Sequence, residues 1–388
     1  MMVSTLLLSV VMATSAAAKD EGVDNYLRAE GIYAVKVKKV PRNIHSNTWA
    51  TAKSKTVQAH VQQSIRLLDK KANAQLQRGA TDVTVQALHD GQRIGVRLTW
   101  TDATEDRGDD ETHHFGDAAA MEVPKTFGRG IRLPYIGMGD AQQKVLVYLM
   151  RAFEHGSYGR EYIGAGFGSL TRTGTGGQRG DVVYDKKRKT WTALFIRPLN
   201  SYGHNMRQGA VPVAFAVWDG SKNERGGNKA LTSWKTLILG GYPADAAYLK
   251  ELSFGYGKGD VGDPAAGKAM VESMCIACHH VGDKKFVPAG MAPDLTGVGN
   301  YATYGYLRDS IMNPSQVLVP NPNANRHYQK GGTPDPHGAL PNDPTYQWSM
   351  GPASKMPPFP LPPEQIAHML AFLKPPAHKP ADDGKESK

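Results

Sequence analysis

The sequence predicts a mostly-β antiparallel sandwich followed by a small all-α domain, and three observations carry that prediction. The chain has 388 residues, more than a single hydrophobic core ordinarily serves. Between about Val35 and Leu239 short apolar or β-branched runs recur, separated by Gly, Asn and Asp clusters. Beyond a loose stretch from Phe254 to Asp260 the apolar spacing becomes helical. Composition agrees: Gly 42 and Pro 25 mark a turn-rich chain, while 40% hydrophobic and 21% charged residues exclude a disordered chain or an integral membrane protein. The net charge of +10 suits acidic partners or surfaces and says nothing about fold.

The elements follow in order. Residues 1–18 combine an apolar run, Leu6 to Met12, with Ala16-Ala17-Ala18 before Lys19, the pattern of a secretory signal although its first residues carry no Lys or Arg. This predicts export to the periplasm. No later stretch has 18 apolar residues, so no transmembrane span is expected. Strands are expected at Val83–Val85, Ile94–Trp100, Lys144–Tyr148, Trp191–Ile196, Val211–Trp218 and Trp234–Leu239, with Asp185-Lys186-Lys187-Arg188-Lys189 as a charged hairpin tip. Asp263-Pro264 reads as the cap and first residue of a helix to about Met274. Further helices are expected at Tyr304–Met312 and Glu364–Leu373, the last with Ile366, Met369, Leu370 and Leu373 on one face. Pro320 to Lys355 is a long loop, and the polar tail begins at Pro375. The boundaries read 1–18 signal, 19–258 sandwich, 259–376 helical domain and 377–388 tail.

The cysteines carry the sharpest chemistry. There are two, in Cys275-Ile276-Ala277-Cys278-His279, which rules out a disulfide framework, a four-cysteine zinc site and an iron–sulfur cluster held by this chain alone. Two thiols three positions apart at a helix end can each add across one vinyl group of a porphyrin, and the next histidine then lies under the iron. This is the attachment pattern of haem c. A redox C-x-x-C would expect a βαβ setting, and a zinc site would need further soft ligands. Met356, in Lys355-Met356-Pro357-Pro358, is the expected sixth ligand, because a thioether raises the potential and suits electron transfer. Met350, His327 and His337 are the alternatives. Gly267, the C-x-x-C-H, Ala292-Pro293-Asp294-Leu295, Met356-Pro357 and the closing helix resemble class I cytochromes c. The resemblance implies that the Pro293 carbonyl holds the His279 ring and that Gly267 permits a close crossing with the last helix. His280 is expected to face solvent.

The larger domain taken alone offers no catalytic constellation. Gly164-Ala165-Gly166-Phe167-Gly168 has no helix pattern after it and reads as a bulged turn. The acidic segment Asp102 to Glu111 lacks the spacing of an EF-hand and reads as a solvated turn. Five segments, however, form an ordered series: Leu98 to Thr104, Ile136 to Gly139, Trp191 to Leu199, Phe215 to Gly220 and Gly226 to Trp234. Together they resemble the haem b domain of ethylbenzene dehydrogenase and the γ subunits of selenate, chlorate and dimethylsulfide enzymes of the same molybdenum family. The resemblance implies a non-covalent haem b held by a methionine and a lysine, which fall on Met138 and Lys229. After Met138 this chain has Lys144 to Met150 where that family carries tryptophans. A lysine binds iron only when unprotonated, so burial must drive its pKa down. Read from spacing alone, Lys229 is a solvated turn residue and Met138 a core methionine, with His113 and His114 as fallback ligands.

The resulting expectation is an exported dihaem electron-transfer subunit with no catalysis of its own, because irons with both axial positions filled leave no place for substrate. Fusion of the two haem domains resembles the γ subunits of nitrite oxidoreductase or nitrate-reductase-like complexes. That resemblance implies a molybdopterin α subunit, an iron–sulfur β subunit and a cytochrome or quinol-oxidising respiratory carrier as partners, and no nucleic acid. Two rivals are a cytochrome c fused to a carbohydrate- or surface-binding sandwich, and a haem enzyme with an open iron site such as a small peroxidase.

Overall fold

The computed structural model describes residues 21–61, 80–109, 114–166, 169–173, 179–201, 204–253, 262–284, 292–317, 354 and 356–374. Helix α1 (Glu21–Glu30) leads into β1 (Gly31–Lys36). The strands that follow are β2 (Lys55–Val61), β3 (Thr81–His89), β4 (Arg93–Thr101), β5 (Ala118–Pro124), β6 (Val145–Phe153), β7 (Gly156–Gly164), β8 (Thr171–Arg172), β9 (Arg179–Asp185) and β10 (Thr190–Pro198). The short β11 (Asn200–Ser201) and β12 (His204–Asn205) pair with each other, and β13 (Ala210–Trp218), β14 (Ala230–Leu231), β15 (Lys235–Leu239) and helix α2 (Ala246–Leu252) complete the larger region.

Two layers result, joined by two shared strands. One layer runs β9-β10-β4-β3, then continues to β2 and to β1 and β15. The other runs β8-β7-β6-β5-β13-β14-β2. Strand β2 pairs with β3 through Lys55–Ala59 and with β14 through His60 and Val61, while β13 pairs with β15 through Ala210–Val213 and with β5 through Ala214–Trp218. Each of these strands therefore bends from one layer into the other. Pairing is antiparallel except that β1 lies parallel to both β15 and β3. The core between the layers includes Val85, Val96, Leu98, Met121, Tyr148, Trp191 and Phe215.

All six sequence-expected strands form, and the charged segment is the turn between β9 and β10. The helices α1 and α2 and the strands β1, β2, β5, β7, β8, β9, β11, β12 and β14 are additional to the sequence expectation. The signal, the linker and the tail lie outside the described residues, and the long loop does so except for Ser354.

Helices α3 (Pro264–Met274), α4 (Tyr304–Met312) and α5 (Pro363–Leu373) form the second region. The Asp263 carboxylate accepts the Ala265 N–H at 2.9 Å and Pro264 starts α3, as the sequence predicts. The Thr303 hydroxyl caps α4 at the Tyr306 N–H, 3.1 Å. Gly267 is where α3 crosses α5: a Cβ there would lie 1.8 Å from the His368 carbonyl oxygen, so only glycine fits.

Every residue of β13 is buried, so this strand is covered on both faces. Its inner face, with Val213, Phe215 and Val217, belongs to the sandwich core. Its outer face, with Ala214 and Ala216, joins Ala118, Ala120 and Leu231 in a second apolar cluster that also contains Val271, Tyr301, Leu307 and Met369 of the helical region. The Tyr135 and Tyr306 rings meet across this junction, 5.2 Å between centroids.

Candidate functional site

The thiols sit where α3 ends. Cys275 closes the helix with φ −96° and ψ −27°, donating its N–H to Val271 O at 2.9 Å. The Cys278 and His279 N–H groups both return to Cys275 O, at 3.1 and 2.9 Å, so the motif is wound into a compact turn. Cys275 is half-buried and Cys278 exposed. Burial, with the second thiol nearby, pushes the Cys275 thiol up to about 11.

His279 is buried, and its Nδ1 lies 2.7 Å from the Pro293 carbonyl. That contact orients the ring and leaves Nε2 for a metal. Burial holds the imidazole below its ordinary pKa and therefore neutral, as a ligand must be. His280 departs from expectation: it is 8% exposed, because its carbonyl accepts the Leu295 N–H at 2.9 Å and ties the turn to the Pro293 loop.

Met356 is half-buried, in a loop pinned on both sides. Its N–H reaches Ser354 Oγ at 3.1 Å, and the Phe359 N–H reaches Ile311 O of α4 at 2.9 Å. Cys275, Leu295, Phe359 and Leu361 border the same apolar cluster as the sandwich's outer face. The alternative ligands Met350, His327 and His337 lie outside the described residues, as does His113. His114 is exposed, its Nδ1 2.5 Å from Asp109.

On the sandwich, Lys229 follows the Gly226-Gly227-Asn228 turn and leads directly into β14. It is 3% exposed, and its ammonium nitrogen has no hydrogen-bond partner. Its one electrostatic counterpart among the described residues is Glu122 of β5, also buried and with one carboxylate oxygen unpartnered. Burial pushes the Lys229 amine down and the Glu122 carboxyl up, so the neutral forms gain on the charged ones. The amine lies 5.9 Å from the centre of the Trp218 ring.

Met138 comes to the same carboxylate, since its backbone N–H is bonded to Glu122. Its φ of +73° is unusual for a side-chain-bearing residue. Asp140 enforces that turn: buried, it takes the Tyr135 and Gln143 N–H groups at 2.9 Å each and the Arg132 guanidinium at 2.9 and 3.0 Å. The Met138 side chain packs on the second apolar cluster, which includes the buried Ala118, Ala120, Ala214 and Ala216. Register places Ala120 opposite Ala216, with Glu122 opposite Ala214 and Ala118 opposite Trp218. Val145, Val147 and Leu149 of β6 extend the same face.

The structure thus brings Met138 and Lys229 together through Glu122 and keeps the C-x-x-C-H on the helical side of one shared cluster. Glu122, Asp140 and the buried alanines escaped sequence reasoning; the lone carboxylate in the apolar run Ala118–Pro124 was the available signal. The donor types suit a haem iron: a buried amine without a hydrogen-bond partner, whose neutral form burial favours, and a thioether from Met138. Of the acidic segment, Asp102 joins two carboxylates from outside it. Asp102, Asp117 and Asp219 gather within 4.8 Å, with Asp117 and Asp219 buried. Asp117 accepts the Gly220 and Asp106 N–H groups at 2.8 and 2.9 Å, and Asp219 pairs with Lys222 at 2.5 Å.

Comparison with known proteins agrees with both halves. Residues 264–375 match the Cytochrome c family model. The chain is 36% identical over 169 residues to the putative respiratory nitrate reductase heme subunit ORF7 of Haloferax mediterranei, covering 42% of this chain and 58% of that protein. It is 34% identical to the chlorate reductase subunit gamma of Ideonella dechloratans, over 39% of this chain and 61% of that one. It is 30% identical to the dimethylsulfide dehydrogenase subunit gamma of Rhodovulum sulfidophilum, over 39% and 57%. The chain thus spans about three fifths of the length of these curated relatives. Among solved structures, a family 9 carbohydrate-binding module from Caldicellulosiruptor kristjanssonii aligns at 9% identity and a TM-score of 0.33 over 55% of this chain and 97% of that one, too loose a superposition to bear on function. The chain therefore joins a region related to γ subunits of molybdoenzymes to a carboxyl-terminal cytochrome c domain.

Proposed function

We propose that this chain is an exported dihaem electron-transfer subunit that passes electrons between a molybdopterin and iron–sulfur oxidoreductase, nitrite oxidoreductase- or nitrate-reductase-like, and a respiratory carrier. Cys275 and Cys278 hold haem c covalently, with His279 and Met356 on its iron. Met138 and Lys229 hold haem b. The haems supply one-electron chemistry, and the chain's residues set ligation, orientation and exclusion of water. Pro293 fixes the His279 ring, Asp140 fixes the Met138 turn, and Glu122 takes the Met138 N–H and faces the Lys229 amine.

The single observation that supports this reading best is the Lys229 amine, buried without a hydrogen-bond partner. Burial already favours the neutral amine over the ammonium, and the neutral amine is the form that can bind iron. A pyridine haemochrome assay of the purified full chain tests the reading. One haem c and one acid–acetone-extractable haem b per chain is the expected result; haem c alone returns the sandwich to a binding module.

A further inference from the structure

We infer that Tyr306, in the cytochrome c region, is a positioning residue for the Met138 ligand of haem b. Helix α4 braces the Met138 turn with its first turn and the Met356 loop with its last, so both methionine loops are held on one strut. This rests on the haem b and haem c readings above, and it gives one region a residue that sets ligation in the other.

The Met138 turn needs bracing. Met138 and Gly139 follow one another with φ of +73° and +80°. The first is costly for a residue with a side chain, so it persists only where its surroundings hold it. Part of that hold is main chain and lies within the sandwich. The Tyr135 carbonyl accepts the Gly139 N–H at 2.9 Å, and the Met138 carbonyl accepts the Gly166 N–H at 2.9 Å. The Pro134 carbonyl accepts the Trp234 indole N–H at 3.1 Å. These bonds fix the backbone and leave the side chains of the turn to be packed. Tyr135, 5% exposed, has its ring against that of Tyr306, 5.2 Å between centroids and 46° between planes. Tilted aromatic pairs of this kind stabilise beyond the area they bury. Leu133, Ile136 and Met138 belong to the same apolar cluster as Tyr306 and Leu307. Helix α4 therefore packs on the side chains of the segment that carries Met138.

The far end of α4 holds the other methionine. Ile311 O, in the last turn, accepts the Phe359 N–H at 2.9 Å. Ser315 Oγ, just past the helix, accepts the Ser354 N–H at 3.0 Å. These two straps lie on either side of Met356. Tyr306 and Ile311 sit in one short helix, about 7.5 Å apart along its axis at 1.5 Å per residue. Removing the Tyr306 ring thus loosens the Met138 turn while the Met356 straps stay in place. An iron-bound thioether raises the potential, so a loosened Met138 lowers that of haem b.

Optical redox titration of the full chain carrying both haems tests this, each haem read at its own band. Tyr306→Leu keeps an apolar side chain and removes the ring contact. It should disfavour haem b reduction by about tenfold, which is 59 mV for one electron, and leave the haem c potential unchanged. Tyr306→Phe retains the ring and should behave as wild type. Tyr135→Leu should repeat the shift, and the double variant should go no further than either single, because both remove one contact. An unchanged haem b potential in Tyr306→Leu overturns the inference even if that variant unfolds more readily in denaturant. Additive shifts in the double variant overturn it as well. If Tyr306→Leu does not fold, Tyr135→Leu compared with Tyr135→Phe decides on the same terms. A wild-type chain holding haem c alone would instead strike the haem b reading, and this inference with it.

Discussion

The two candidate haem sites are built in opposite ways. On the helical side Cys275, Cys278 and His279 are neighbours in sequence, wound into one turn by hydrogen bonds to the Cys275 carbonyl. On the sandwich side Met138, Lys229 and Glu122 come from a loop, a turn and a strand far apart in the chain, and they meet only because β5, β13 and β14 lie side by side. Local geometry suffices for the first site, whereas the second exists only in the finished fold. On the proposed reading the helical site would keep its porphyrin by covalent bonds, whereas the sandwich site would rely on burial and ligation.

That contrast can be broken most directly at the cysteines. Replacing Cys275 and Cys278 with alanine should abolish covalent haem entirely and leave extractable haem b, as read by acid–acetone extraction. Next in size, Lys229→Ala and Met138→Ala should each lose haem b or move its potential by roughly 100 mV or more, with haem c unchanged in optical redox titration. If neither variant touches haem b, the ligand assignment fails. Gly267→Ala sharpens the helical side alone. Its Cβ would sit 1.8 Å from the His368 carbonyl oxygen, so the cytochrome c domain should lose about 2–3 kcal/mol in denaturant unfolding followed at the haem c band.

The smallest effect belongs to the sandwich and to pH. Burial raises the Asp117 carboxyl from 3.8 to about 7, so the folded chain holds this proton longer than the unfolded one. The stability it contributes is fully present below about 4 and is lost as pH rises through about 7. Sandwich stability should fall over that window by on the order of 1–2 kcal/mol from this group, and Asp117→Asn should flatten the slope in urea melts.

What the sequence reveals follows the same division. The C-x-x-C-H, the Asp263-Pro264 cap and the Ile366, Met369, Leu370 and Leu373 stripe are local patterns, and each recurs where it was expected. The strands were legible wherever β-branched residues recur, as in β4 and β10. β5 was not, because Ala118-Ala119-Ala120 has no strand preference of its own and becomes a strand only by pairing with β6 and β13. Lys229 looked like a solvated turn residue because nothing beside it in sequence reveals that Glu122 and Trp218 close over it. His280 was misread for the same reason, since the Pro293 loop that covers it lies beyond its neighbours in the chain.

Carbon monoxide exposure of the dithionite-reduced full chain tests the central claim most directly, since it asks whether either iron has a free axial position. If Met138, Lys229, His279 and Met356 fill those positions, both haems should keep their six-coordinate low-spin spectra and bind carbon monoxide only after denaturation. Rapid carbon monoxide binding by the native chain would instead mark an open iron and a catalyst.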